Sequence, residues 1–129
     1  MTPTEAREGI CNLIAAYTHA LDDGRTDDVV ATFTPDGGVD LPGMGTYTGH
    51  DELRAAYGTW APRQPQRHLV LNTHVTGITD AGATAVSDVV FLLLTSNGWT
   101  VRLVGRYADT LSYRDGAWLF QHRAAEFVS

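Results

Sequence analysis

Tyr17-Thr18-His19-Ala20-Leu21-Asp22 is the stretch from which the fold of this chain can be worked out. It ends a segment in which apolar residues recur at helical spacing, namely Ile10, Leu13, Ile14, Tyr17 and Leu21. Such a stripe predicts a helix that packs one face on a core. The segment ends with a phenol and a carboxylate, which are the groups that a helix closing one side of a pocket would hold.

The boundaries of this helix are also readable. Thr2 is suited to the N-cap, Pro3 to the first helical position, and Glu5 completes a capping box. Gly24 favours the left-handed conformation that ends a helix. A short second helix is predicted from Thr26 through Phe33, and a third from about His50 to Trp60.

The rest of the chain has the signals of strands and turns. We expect a turn over Thr34–Gly38, then two short strands, Val39–Leu41 and Thr46–Thr48. From Arg67 onward, four long apolar segments predict an antiparallel meander. They are separated by three turn signals, Asp80-Ala81-Gly82, Ser96-Asn97-Gly98 and Arg114-Asp115-Gly116.

These elements predict an α+β fold in which three N-terminal helices pack on a curved antiparallel sheet, an α+β cone barrel that encloses a pocket. The 129 residues are expected to form a single domain. Residues 89–94 are apolar at both parities, so both faces of the sheet should be covered there. Helices cover one face, and a second copy of the chain is the simplest cover for the other, which predicts a homodimer through the outer sheet face.

Composition excludes several classes of function. The net charge is −6, which argues against nucleic acid and against an anionic membrane surface as partners. All nine basic residues are arginine, so Schiff-base catalysis and a P-loop lysine are excluded. We see no signal peptide and no membrane-spanning segment, and we expect a cytoplasmic protein.

Cysteine and histidine offer little for a metal site. Cys11 is the one cysteine, and its position in the helical stripe predicts a small buried hydrophobe. His68, His74 and a carboxylate match no ligand spacing, so no metal is expected. No cofactor is expected either.

The order of several short motifs resembles the SnoaL-like polyketide cyclase and dehydratase family of the nuclear-transport-factor-like α+β cones. The resemblance covers nearly the whole chain and rests on these landmarks: Tyr17, Leu21-Asp22-Asp23-Gly24, Phe33-Thr34-Pro35-Asp36, Gly49, Arg67-His68, Asn72, Gly105-Arg106-Tyr107-Ala108-Asp109, Gly116-Ala117-Trp118 and Arg123. Scytalone-type and bile-acid-type dehydratases are the most similar in motif, because their helix-one Asp and strand His fall on Asp22 and His68. Tyr17 matches a tyrosine of the bile-acid type.

The resemblance implies a cofactor-independent dehydratase or cyclase acting on a polyketide-like or polycyclic carbonyl compound in secondary metabolism. Histidine suits the proton transfers because its ordinary pKa is about 6.5. We assign them to His68, with Asp22 fixing the imidazole tautomer and Tyr17 donating to the carbonyl oxygen. The candidate residues for binding this aromatic or polycyclic substrate are Tyr47, Tyr57, Trp60, Asn72, Asp88, Tyr107 and Arg123. Asp88 and Arg123 are also candidates to pair with each other.

Two alternatives stay open. Leu41 stands where scytalone dehydratase has a second tyrosine, which Tyr47, Tyr57 or Tyr107 can replace. In ketosteroid isomerases the catalytic Asp aligns with Leu41. Asp40 is one residue away, so its side chain should point to the opposite face of the strand, and this weighs against the isomerase alternative. The same fold also hosts non-catalytic small-molecule-binding or interaction modules.

Overall fold

The computed structural model describes residues 1–128 and contains three helices and six strands. In chain order they are α1 (Pro3–Asp22), α2 (Thr26–Ala31), β1 (Phe33–Leu41), β2 (Gly45–Thr48), α3 (His50–Thr59), β3 (Gln66–Thr76), β4 (Gly82–Thr95), β5 (Gly98–Arg114) and β6 (Ala117–Val128). The helices pack on one curved sheet, and this confirms the predicted α+β architecture.

The sheet has the strand order β2-β1-β6-β5-β4-β3 and is not closed. The four long strands β3 to β6 form the predicted antiparallel meander. One pairing is parallel, because β1 lies beside β6 in the same direction. The sheet is therefore mixed at this position, which differs from the fully antiparallel sheet expected from the sequence.

The start and end of α1 follow the predicted capping chemistry. The Thr2 hydroxyl accepts from the Glu5 backbone N–H at 3.1 Å, and the Glu5 carboxylate accepts from the Thr2 N–H at 3.4 Å. Gly24 has φ +72°, so it supplies the left-handed residue after the helix. α1 therefore ends at Asp22, the residue predicted to be functional.

The predicted turn over Thr34–Gly38 is wrong, and so is the extension of α2 to Phe33. α2 ends at Ala31, and β1 begins at Phe33 and includes Thr34–Gly38, with an irregularity in its pairing to β6 between Phe33 and Gly38. Positions 37 and 38 require glycine because neighbouring backbone atoms leave no room for a Cβ atom. A Cβ on Gly37 would lie 2.9 Å from the Phe120 carbonyl oxygen, and one on Gly38 would lie 2.9 Å from the Tyr47 carbonyl oxygen.

The hydrophobic core lies between the helices and one face of the sheet. Its fully buried members include Ile10 of α1, Leu53 of α3 and Phe33 and Phe120 of the sheet. β4 alternates, with Ala83, Ala85, Ser87 and Val89 buried and Val86 exposed. The apolar side chains of the opposite parity therefore lie on the outer face, which residues 1–128 do not cover.

Three further findings bear on function. The prediction that Cys11 is buried is wrong, because its position on α1 is exposed. Within residues 1–128, no helix is long and apolar enough to cross a membrane. The same residues contain no group of three or more His, Cys, Asp or Glu side chains arranged to hold a metal ion.

Candidate active site

A cavity of about 310 Å³ lies between the helices and the sheet. Its wall is mostly apolar and aromatic, and it brings together residues from both helical and strand elements. The lining residues are Tyr17, Leu21, Leu41, Met44, Tyr57, Trp60, Gln66, His68, Val89, Phe91, Leu103, Tyr107, Ala125 and Phe127. No Asp, Glu, Lys or Arg is among them, and the polar side chains of the wall are one imidazole, one amide and three phenols, besides the indole of Trp60.

Asp22 holds His68 from two directions. One carboxylate oxygen, Oδ1, lies 2.6 Å from the imidazole Nδ1. The other, Oδ2, accepts the backbone N–H of His68 at 2.7 Å. An ionised carboxylate only accepts, so Nδ1 carries the proton and Nε2 is left available for proton transfer.

Gln66 completes the surroundings of Asp22. Its amide donates to Asp22 Oδ1 at 3.1 Å. Gln66 lies two residues before His68 on β3, and the period of a strand places both side chains on one face. Sequence reasoning missed Gln66, although this spacing was a signal for it.

The hydrogen bonds determine the charge of Asp22. Burial acts to raise the pKa of its carboxyl, but the hydrogen bonds from the His68 ring, the His68 backbone and Gln66 outweigh burial and hold the pKa below its usual range. They also offset the unfavourable position of an anion at the C-terminus of a helix. The imidazole of His68 stacks on the Phe91 ring, with centroids 4.4 Å apart and planes 20° apart.

Tyr17 has a partner that the sequence did not reveal. Its hydroxyl lies 2.6 Å from the hydroxyl of Tyr57, and both side chains are buried. We call these two residues the phenol pair. Burial raises the pKa of Tyr17, against the opposing effect of Arg123. Burial is the main cause and the neighbouring Tyr17 the second cause that raise the pKa of Tyr57 well above its ordinary value. Both phenols are therefore protonated at neutral pH.

Of the residues predicted to bind a substrate, Tyr57, Trp60 and Tyr107 lie on the cavity wall. Tyr47 is not on the wall but packs edge-on against Trp60, with ring centroids 5.6 Å apart. Its hydroxyl donates to the Met44 carbonyl oxygen, so it holds the loop beside the cavity.

The other three predicted binding residues do not line the cavity. Asn72 has φ +57° at a register shift in β3, and its amide donates to Asp88 at 2.9 Å on the exposed side of the sheet. Asp88 also accepts from Arg106 at 3.2 Å. The expected pair of Asp88 with Arg123 is wrong, because Arg123 is fully buried behind the wall and pairs with Asp109 at 2.9 Å.

A SnoaL-like domain model matches residues 2–124. The chain belongs to the SnoaL-like family. The resemblance seen in the sequence motifs is thereby confirmed. Comparison with curated protein sequences found no match.

Solved structures similar to this SnoaL-like chain agree with the fold. A protein of unknown function from Mycobacterium tuberculosis, solved as an Asp-to-Asn variant, is 25% identical with a TM-score of 0.89, over 99% of this chain and 77% of that one. A Novosphingobium aromaticivorans protein with the provisional name scytalone dehydratase is 22% identical with a TM-score of 0.85, over 100% and 89%. A Catenulispora acidiphila protein in complex with S-DNPA is 24% identical with a TM-score of 0.85, over 96% and 94%.

Proposed function

We propose that this SnoaL-like chain is a cofactor-independent dehydratase or cyclase that acts on a neutral, polyketide-like or polycyclic carbonyl compound. The observation that carries the proposal is the composition of the cavity wall. A histidine held by a carboxylate and a pair of hydrogen-bonded phenols both line one apolar cavity. In the proposed enzyme the histidine is the general base and the phenol pair is the oxyanion donor, and both line the same cavity.

Elimination of water from a β-hydroxy ketone uses these groups in order. His68 Nε2 removes the α-proton, and the electrons of the C–H bond move toward the carbonyl to form an enolate. The phenol pair donates to the enolate oxygen. The enolate then expels the β-hydroxyl, which takes the proton back from the imidazolium and leaves as water. Asp22 stabilises the imidazolium between these steps.

Ring closure uses the same first step. The enolate carbon attacks a second carbonyl, and the imidazolium protonates the resulting alkoxide. Neither reaction changes the oxidation state of the substrate overall, so neither requires an electron carrier. The proposal of a cofactor-independent enzyme rests on this chemistry.

The cavity wall supports a flat and uncharged substrate. It contains aromatic side chains from α3, β4 and β5, and none of the lining residues carries a guanidinium or ammonium group to bind a carboxylate or phosphate. A volume of about 310 Å³ lies at the small end of ligand pockets. The provisional name of the Novosphingobium structure points to the same chemistry, and the Catenulispora structure contains a small molecule.

Tyr57 is our proposal for the phenol that is missing at Leu41. It is the tyrosine bonded to Tyr17, whereas Tyr107 makes no hydrogen bond to the pair and Tyr47 lies off the wall. Asp40, the carboxylate nearest to an isomerase base in the sequence, is exposed and accepts from Thr46 at 3.0 Å. Leu41 lines the cavity in its place, and this weakens the isomerase alternative.

The proposal is tested with 3-hydroxy-1-tetralone, a bicyclic β-hydroxy ketone. Loss of water and tautomerisation give 1-naphthol, whose ultraviolet absorbance is easily followed. We expect the wild-type protein to accelerate this reaction, and His68→Ala to lower kcat by at least about a hundredfold. His74→Ala is the matched control, because His74 lies on the same strand but is exposed.

The outcomes separate an enzyme from a binding module. If wild type and His68→Ala bind 1-naphthol equally and neither forms it above background, the non-catalytic alternative is favoured. If His68→Ala keeps full activity, the acid–base assignment is wrong. The cytoplasmic location and the single domain over residues 1–129 stay predictions.

We also propose that the protein is a homodimer joined through the outer face of the sheet. Leu69, Val90, Val104 and Val128 are paired across four neighbouring strands, so their side chains form one apolar row on this face. Leu69, Val104 and Val128 are 44%, 42% and 57% exposed in the single chain. An exposed apolar row of this kind is typical of an interface.

Light scattering tests the dimer. The wild-type mass should be twice the 14.0 kDa of one chain. Val104→Asp should shift the protein to the monomer, because it places a charge in the middle of the row. Asn12→Asp, at an exposed position on α1 and away from the sheet, is the control and should stay dimeric. A wild-type monomer would contradict the proposal.

A further inference from the structure

Arg123 and Asp109 form a buried ion pair behind the cavity wall. They are direct partners on β6 and β5. The guanidinium Nε donates to Asp109 Oδ1 at 2.9 Å and Nη2 donates to Oδ2 at 3.2 Å. Both side chains are 0% exposed, and neither lines the cavity.

Stability alone does not account for this pair. Removing two charges from water costs several kcal/mol per ion, and replacing a buried ion pair with apolar residues of similar size is often neutral or stabilising. The guanidinium is also incompletely satisfied, because its Nη1 is buried without a hydrogen-bond partner among residues 1–128. A buried nitrogen without a hydrogen-bond partner is rare in proteins, so we expect the guanidinium to have a role toward the residues around it.

The surroundings of the guanidinium are the rings of the site. Its central carbon lies 3.6 Å from the centroid of the Tyr107 ring and 4.4 Å from that of Tyr17. Both tyrosines line the cavity, so a single side chain separates the cation from the cavity. Asp109 occupies the Nε and Nη2 edge, which leaves the Nη1 edge uncompensated by a carboxylate.

We propose that Arg123 is a positioning residue that holds the Tyr17 ring and places a positive potential behind the phenol pair. The cavity therefore binds an oxyanion more tightly than a neutral group of the same shape. Asp109 sets the strength of that potential by partly neutralising it. The inference deepens the proposed function and rests on it for its catalytic meaning.

Negative charge develops on the substrate oxygen during enolate formation. The substrate carbonyl is neutral before proton removal and carries negative charge afterwards. A fixed buried cation acts strongly on such a change because the low local dielectric screens it little. Burial raises the pKa of Tyr17, and the charge of Arg123 acts in the opposite direction, as expected of a cation that favours negative charge at this phenol.

The test compares two probes that share the same naphthalene ring system. The 2-naphtholate ion has the oxyanion and naphthalene lacks it, and absorbance distinguishes naphtholate from neutral naphthol. Affinities for both are measured at a pH at which free 2-naphthol is ionised. We expect wild type to bind naphtholate at least about tenfold more tightly than naphthalene. Equal affinities would overturn the proposal.

Two variants then assign the preference to the ion pair. Asp109→Asn keeps the cation and the shape but removes the counter-charge, so it should increase the preference for naphtholate several-fold. A purely structural role of the pair predicts a decrease. The double variant Arg123→Met with Asp109→Leu removes both charges and should lower the preference about tenfold, with naphthalene affinity within about threefold of wild type.

The control is the double variant Arg54→Gln with Asp27→Asn. It removes another Arg–Asp pair, which spans 2.9 Å on the exposed side of the helices and should leave both affinities unchanged. If Asp109→Asn lowers the preference, the proposal is wrong whether or not the double variant folds. Because the assay measures binding only, absence of turnover with 3-hydroxy-1-tetralone would refute the proposed function and leave this result standing.

Discussion

Replacing Asp22 with asparagine changes one oxygen at the His68 contact into an NH₂ group while the side chain keeps its size. If the amide oxygen stays at the Oδ1 position, 2.6 Å from Nδ1, then the NH₂ group meets the backbone N–H of His68, and two donors oppose each other. If the amide is flipped, the NH₂ group donates to Nδ1, and the ring proton moves to Nε2. Either arrangement damages the site.

The magnitude of this change can be worked out from the lost contacts. Hydrogen bonds to a charged group contribute about 1.5–3 kcal/mol, and an unsatisfied buried donor costs about 1–3 kcal/mol. We therefore expect Asp22→Asn to lower the free energy of unfolding by about 1–3 kcal/mol, or roughly 4–12 °C in Tm. The flipped arrangement removes the base, so kcat should fall about 10²–10⁴-fold.

The stability difference should also depend on pH. The pKa of Asp22 lies below its ordinary value of about 3.9, so the folded state stabilises the ionised carboxyl. Its contribution is complete above that ordinary value and is lost as the pH falls through the lower pKa of the folded state. The stability difference between wild type and Asp22→Asn that arises from this carboxyl should therefore shrink below about pH 4.

The measurements are urea unfolding between about pH 3 and pH 7 and turnover of 3-hydroxy-1-tetralone. Asp23→Asn is the matched control, because Asp23 lies at the same helix end but its carboxylate is exposed. It should change neither turnover nor the pH dependence. The reasoning is refuted if Asp22→Asn keeps kcat within about threefold of wild type.

Two further substitutions test other parts of the structure. Tyr57→Phe should lower kcat about ten- to a hundredfold and keep KM within about threefold of wild type, because Tyr17 loses its hydrogen bond to the Tyr57 hydroxyl 2.6 Å away. A change in KM alone would contradict the role of the phenol pair as an oxyanion donor. Gly9→Ala should destabilise the protein by about 1–2 kcal/mol despite its better helix propensity, because the new Cβ would lie 2.7 Å from Trp118 Cδ1. Gly58→Ala has open space and should stabilise it by up to about 1 kcal/mol; equal unfolding midpoints for the two alanine variants would contradict this explanation.

The sequence was sufficient where structure depends on neighbouring residues. The Thr2–Glu5 capping box, the end of α1 at Asp22 and the three turns of the meander are local features, and all of them are present. The hydrogen bond between Asp22 and His68 was also predicted, although the two residues are far apart in sequence. There the family resemblance supplied what local patterns do not contain.

The sequence was insufficient where a distant segment decides the structure. Thr34–Gly38 has the composition of a turn, yet it lies within β1, where the chain bulges between two residues that pair in parallel with β6, Phe33 with Phe120 and Gly38 with His122. The position of Tyr57 on the apolar face of α3 indicated burial, but its hydroxyl partner lies 40 residues away on α1. Arg123 could be recognised as unusual in an apolar strand, but its partner was wrong because the register of β5 and β6 decides which carboxylate it meets.

The position of β6 in the sheet has a consequence for synthesis of the chain. It is the sixth strand in sequence, yet it lies between β1 and β5 near the middle of the sheet. Until it leaves the ribosome, β1 and β5 both have unpaired edges, and such edges favour association between chains. We therefore expect chains that stop before Ala117 to aggregate rather than to fold partially, which sedimentation of the truncated protein can show. A soluble, monomeric truncated chain would contradict this view of how the sheet is completed.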